Sequence, residues 1–256
     1  MEDWLPDAYL RFADERTRPA RDLLARIPLK APEIVYDLGC GPGNSTALLR
    51  ETYPKARLVG LDNSKTMLAK ARDVLPQVHF IEGDLATWAG DRNADLLFAN
   101  ASFQWVPDHA SVLLRLLTGL KAGGVLALQM PDNLDEPSHR LMRETAEIGP
   151  WSHALQNAAG FREKIRMPND YYNLLKPHCR QLDIWHTAYH HVLDGVQGII
   201  DFVRTTGLRP YLDPLEDDMR AQFICSYRAR LIKAYPEMFD GKVLMRFPRL
   251  FLVAQV

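Results

Sequence analysis

One pattern repeats between residues 34 and 130. A short, apolar, β-rich run closes on a turn or acidic residue, and helical stretches separate the runs. The runs are residues 34–38, 57–61, 78–82, 95–99 and 125–130. Helices are expected at 44–53, at 64–74 with Ser64 as N-cap, and at 109–120, where Gly123 and Gly124 supply the stop. Strands alternating with helices build a mostly parallel sheet covered on both faces, so the fold class is doubly wound α/β. Such sheets bind ligands beyond the carboxyl ends of their strands. The residues of interest are therefore 39–43, Asp62, Asp84, 100–105 and 131–133.

The flanks read differently. Residues 7–27 are helical in pattern, with Tyr9, Phe12, Leu23, Leu24 and Ile27 apolar and Pro19 marking a break or new start. After residue 130 come a helical stretch at 137–159, a short helix at 170–175, a sixth strand at 184–193 and helices at 196–205 and 217–235. A last strand follows in two pieces, 243–245 and 250–256. The expected division is an N-terminal helical segment 1–33, an α/β core 34–133, a helical insertion 134–180, a core strand 181–193, a helical lid insertion 194–240 and a final core strand 241–256. The formal net charge of −1 gives no electrostatic reason to expect nucleic acid or a membrane surface as a partner. Cys40, Cys179 and Cys225 form neither a disulfide framework nor a metal-ligand spacing. With no signal-peptide pattern and no apolar run near the roughly 20 residues of a membrane span, the expected location is cytoplasmic. A monomer is compatible with the sequence, which leaves oligomeric state open.

The glycine-rich turn is Gly39-Cys40-Gly41-Pro42-Gly43, a GxGxG spacing rather than the GxGxxG of dinucleotide sites. Pro42 removes one N–H that a phosphate would use. Asp37 repels a pyrophosphate and favours a cation. Asp62 ends the second strand, where its carboxylate can accept from two ribose hydroxyls, a feature dinucleotide enzymes share. Asp84, or the backbone beside it at Leu85, can meet the exocyclic amine of an adenine. Three acids around one ligand suit a molecule with positive charge and no phosphates, and S-adenosylmethionine fits. Cys40 is expected to offer its backbone N–H. Asn44, Asn63, Asn100, Ala101, Gln104 and Trp105 complete the candidate cofactor set, Trp105 as a pocket wall or as packing.

The stretches DLGCGPGNST, VGLDNSKTML, EGDLATW, FANASFQWVPD and LKAGGVLALQMPDN, over residues 34–133, resemble the ordered motifs of class I S-adenosylmethionine-dependent methyltransferases. The resemblance implies a seven-stranded sheet whose last strand runs antiparallel. A narrower likeness spans nearly the whole chain. WLPDAYLRFADERTRPARDLL, QMPDNLDEPSH, TTGLRPYL and FPRLFLVAQ resemble the methyltransferases that esterify a carboxylate of trans-aconitate, which implies a monomethyl ester as product. The alternatives are another small acid or thioester-linked carboxylate as acceptor, or a non-catalytic S-adenosylmethionine-binding module.

A carboxylate acceptor is ionised at neutral pH, so no general base and no catalytic side chain is expected, and no metal. Its several negative charges call for arginine, whose fork binds carboxylates bidentately. Arg209 leads, in TTGLRPYL, where Gly207 and Pro210 predict a tight turn rather than a helix. Thr206 and Tyr211 add hydroxyls. Arg16 and Arg18 in ERTRP lie either on a solvated helix face or, with Tyr9, over cofactor and substrate. Arg143 and Arg204 read as solvated charges. His139, just after the fifth strand, is a weaker candidate. His190 and His191 sit on one strand with opposite-facing side chains and cannot chelate together.

Overall fold

The computed structural model describes residues 12–256. Among them, seven strands form one sheet in the order β3-β2-β1-β4-β5-β7-β6. In chain order the main elements are α1 (Ala13–Leu24), β1 (Ile34–Leu38), α2 (Asn44–Thr52), β2 (Arg57–Asp62), α3 (Lys65–Val74), β3 (His79–Glu82), β4 (Leu96–Asn100), α4 (His109–Thr118), β5 (Val125–Pro131), α5 (Pro137–Glu147), α6 (Pro168–Leu175), β6 (Gln181–Asp194), α7 (Gly195–Arg204), α8 (Arg209–Leu212), α9 (Asp217–Ala234) and β7 (Lys242–Gln255). β1 pairs in parallel with β2 and β4, β2 with β3, and β4 with β5. The N–H of Val256 meets the carbonyl of Gly124, and that of Asp132 meets the carbonyl of Pro248, so β7 runs antiparallel to β5. The strand order reverses between β1 and β4, which puts the crevice beyond the carboxyl ends of those two strands.

The chain divides into two compact units. The sheet unit holds the described residues up to Pro131, with Ile165–Thr187 and Leu250–Val256. Its core is built because β5 is buried at every position and β4 at all but its last, as central parallel strands covered on both faces must be. Ser64 caps α3 as expected, its hydroxyl accepting from the N–H of Met67 at 3.2 Å. The helical unit holds Asp132–Lys164 and Ala188–Arg249. There α9 packs on α5 and α7. The Tyr227 hydroxyl donates to the Ser138 carbonyl at 2.6 Å, while the Tyr235 hydroxyl accepts from the Ser138 N–H at 3.0 Å. Among the described residues no helix is long and apolar enough to cross a membrane.

Several expectations are corrected. α1 runs unbroken through Pro19. Arg16 is buried rather than solvated, because it stands four and seven residues before Ala20 and Leu23 and shares their buried face. Arg18, off that face, is exposed. The helix expected over 137–159 ends at Glu147, since Gly149 takes φ 141° and Pro150 follows. β7 is one strand through Phe247 and Pro248, and the Pro248 carbonyl still serves the ladder. Arg209 opens the short helix α8 instead of sitting in a turn, with Pro210 in the first helical turn, where its missing N–H costs nothing.

Candidate functional site

The sheet unit brings the strand-end motifs to one place. β1 ends at Leu38, and Gly39, Gly41 and Gly43 all take positive φ, at 73°, 55° and 95°. A Cβ on Gly39 would stand 2.3 Å from the Cβ of Ser102, just past β4, and 3.7 Å from the Leu85 side chain. Only glycine therefore lets the first, third and fourth strand ends close on one another. Ser102 locks the contact by donating its hydroxyl to the Leu38 carbonyl at 2.8 Å. A Cβ on Gly41 would meet nothing within 4 Å, so open space lies over that part of the loop.

Two acids flank the loop. Asp62 accepts from the N–H of Gly41 at 2.8 Å on one oxygen and from the N–H of Ser64 at 2.9 Å on the other. The two backbone donors fix the carboxylate in orientation. Asp37 is fully buried, and one of its oxygens accepts from Ser45 at 2.8 Å and Thr46 at 2.6 Å. The other oxygen is buried with no hydrogen-bond partner among the described residues. Burial pushes the Asp37 carboxyl up to about 6, the two hydroxyls work against that, and the charge of Asp62 adds to it.

The remaining candidates fall around this centre. Asp84 is exposed and accepts from the N–H of Ala86 in a local turn, with Leu85 buried beside it. Asn100 accepts from the Gln129 amide at 2.6 Å. Ala101 takes φ 57°, a strained setting for an L residue, and its carbonyl accepts from the Gln104 side chain. Trp105 and Asn44 are half-buried, and Asn63 is exposed. The Cys40 N–H is directed at the Leu61 carbonyl rather than outward, and its buried thiol packs near Gly60. Ser45 and Thr46 were not foreseen, and Ser102 lies in the expected stretch 100–105 but was given no role; a Ser-Thr pair at a helix start below a buried acid is the signal that marks the first two.

The acceptor candidates Arg209, Tyr211 and Thr206 lie in the helical unit, Arg18 lies on α1, and Tyr9 falls outside the described residues. The Arg209 side chain, 12% exposed, is 3.5 Å from Asp213. Tyr211 is buried, which raises its hydroxyl above the ordinary tyrosine value. Thr206 donates to the Val203 carbonyl at 3.4 Å. The QMPDNLDEPSH and TTGLRPYL stretches, some seventy residues apart, meet at Gly207, where a Cβ would stand 2.8 Å from the His139 Nε2. His139 is buried among Asn133, at 3.2 Å, and Ser138, at 3.1 Å. Burial and the charges of Arg162 and Arg143 hold its pKa down at about 3, so the ring is neutral. As foreseen for the other pair, His191 is buried and His190 exposed.

A family model described as a methyltransferase domain matches residues 35–124, the stretch that builds this cradle. A curated relative from Rhodopseudomonas palustris (strain HaA2), named trans-aconitate 2-methyltransferase, is 56% identical over 254 residues, 99% of either chain. The chain belongs to the trans-aconitate 2-methyltransferase family. A Yersinia pestis (strain Pestoides F) member of that family is 52% identical over 254 residues, 99% of this chain and 98% of its own. The chain also shares its fold with more distant solved structures. The YcgJ protein from Bacillus subtilis matches with a TM-score of 0.60 at 14% identity, covering 93% of this chain and 99% of that one. Phosphoethanolamine N-methyltransferase 2 from Haemonchus contortus, solved in complex with S-adenosyl-L-methionine, matches at 0.59 and 14%, covering 97% of this chain and 56% of that one.

Proposed function

We propose that this chain transfers a methyl group from S-adenosylmethionine to a carboxylate of trans-aconitate, giving a monomethyl ester and S-adenosylhomocysteine. The observation that carries the reading is identity above 50% over almost the full length to relatives named for that reaction. When bound, S-adenosylmethionine supplies a methyl group on a positively charged sulfur. The cradle fits such a molecule. Asp62 stands at the glycine turn as a carboxylate that ribose hydroxyls can donate to, Gly41 leaves open space, and the buried Asp37 oxygen with no hydrogen-bond partner among the described residues adds negative charge beside the loop. Those two acids also disfavour a pyrophosphate.

The residue roles belong to the same proposal. Asp37, Gly39, Cys40, Gly41, Gly43, Asn44, Asp62, Asn63, Asp84, Leu85, Asn100, Ala101, Gln104 and Trp105 surround the cofactor. Arg209, with Tyr211 and Thr206, takes a carboxylate of the acceptor, and Arg18 and Tyr9 contribute from the N-terminal segment. The acceptor carboxylate is already the nucleophile at neutral pH, so the chain has no proton to remove. What the protein supplies is orientation of that oxygen toward the methyl carbon, an effect that reaches about 7–11 kcal/mol in well-aligned systems, and exclusion of the water that hydrates the anion. The free thiols of Cys40, Cys179 and Cys225 support a cytoplasmic location. Incubation with cofactor labelled in the methyl group, trans-aconitate and a panel of related acids tests the reaction. A base-labile labelled ester of trans-aconitate is expected; ester formed only on another acid, or none above background, overturns the acceptor assignment.

A further inference from the structure

We propose that Arg115 is a positioning residue for the cofactor, holding the turn after β3 in the shape that reads the adenine ring. The inference rests on the assignment of Asp84 and Leu85 to that ring in the reading above, and it concerns a residue outside the strand-end stretches. Arg115 stands in the last turn of α4. An arginine there ordinarily serves the last carbonyls of its own helix. This one is half-buried and reaches across to the segment that follows β3. One guanidinium nitrogen donates to the carbonyl of Trp88, and the other to the carbonyls of Ala86, at 2.9 Å, and Leu85, at 3.5 Å. A single planar fork thus gathers three carbonyls of one turn.

The same turn is closed by Asp84. The N–H of Ala86 meets the Asp84 carboxylate at 2.9 Å, and those of Thr87 and Trp88 meet the Asp84 carbonyl at 3.1 and 2.8 Å. Of the four N–H groups from Leu85 to Trp88, that of Leu85 has no partner among the described residues. What remains for a ligand is this one N–H beside the exposed Asp84 carboxylate. A donor next to an acceptor complements the ring nitrogen and exocyclic amine along one edge of adenine. Leu85 also links the turn to the glycine loop: its buried side chain would lie 3.7 Å from a Cβ on Gly39. The far end of the segment has anchors of its own. Trp88 packs on Tyr36 of β1 with ring centroids 5.1 Å apart, and the Tyr36 hydroxyl donates to Asp91 at 2.8 Å. A Cβ on Gly90 would stand 3.3 Å from the Leu116 side chain of α4. Loss of Arg115 therefore loosens residues 85–88 without detaching the segment.

Calorimetric titration of the full chain and its Arg115→Met and Arg115→Lys variants tests this, with S-adenosylhomocysteine and S-inosylhomocysteine as ligands. The inosine analogue puts a carbonyl and a ring N–H where adenine has an amine and a bare nitrogen, so the turn disfavours it. Wild type is expected to prefer S-adenosylhomocysteine at least about 30-fold. Arg115→Met should lower affinity for S-adenosylhomocysteine about tenfold and for the inosine analogue less than about twofold; Arg115→Lys, which keeps the charge but loses the fork, should fall between. Amide exchange should quicken at residues 85–88 and stay as in wild type in β5. A folded variant that keeps the wild-type preference, or that loses affinity for both ligands equally, overturns the proposal. Should Arg115→Met not fold, Arg115→Lys decides on the same criteria. Wild type without a preference rejects the adenine assignment and the proposal with it. Wild type that shows the preference and its narrowing but forms no ester of trans-aconitate rejects the acceptor assignment and keeps the proposal.

Discussion

Asp37 shows how one residue trades stability for binding. Its carboxyl rises from 3.8 to about 6 on folding, mainly through burial. The folded chain therefore holds a proton that the unfolded chain has released, and the stabilisation this gives is complete below 3.8 and lost as pH rises through about 6. The loss is on the order of 3 kcal/mol for a shift of this size. Asp37→Asn should raise the melting temperature of the ligand-free protein at pH 8, have little effect at pH 4, and weaken S-adenosylmethionine binding about tenfold or more. Melts at the two pH values with calorimetric titration check this; an equal stability change at both would reject the assignment. The sequence placed an acid before the glycine turn. It could not reveal that Ser45 and Thr46 satisfy one oxygen and leave the other bare, because that depends on where α2 docks.

At the scale of elements, local signals fixed what chain stereochemistry decides locally. The Ser64 cap and the glycine turn follow from nearest-neighbour chemistry and were legible. Arg16 and Arg209 were misplaced because burial and a one-turn helix depend on what packs opposite. The contact between TTGLRPYL and QMPDNLDEPSH is of the same non-local kind. Gly207→Ala would drive a methyl group against His139, whose ring is held on both sides by Asn133 and Ser138. A destabilisation of about 1–3 kcal/mol is expected, with KM for the acceptor raised and affinity for the cofactor unchanged. Denaturant melts and kinetics read both effects, and a variant with wild-type KM would show that this contact does not shape acceptor binding.

For the whole molecule, the absence of any need for a base makes a kinetic prediction. With the acceptor ionised and His139 neutral down to about 3, kcat should stay level from pH 7 to 9, and an acid limb near pH 6 should appear in the cofactor's KM as Asp37 takes up its proton. A limb between pH 7 and 9 that disappears on substitution of a single histidine would contradict a base-free transfer. The alternation of strands and helices, the GxGxG turn and the acids at the strand ends determined by themselves the sheet, its crevice and a ligand of positive charge. Period and turn chemistry are written along the chain and need no partner. Only the tertiary structure decided which residues hold the site in shape. Arg115 belongs to no motif, and it is folding that ties it to Leu85, Ala86 and Trp88. Recognition of a ligand depends on distances between residues far apart in sequence, and a linear pattern does not encode those distances.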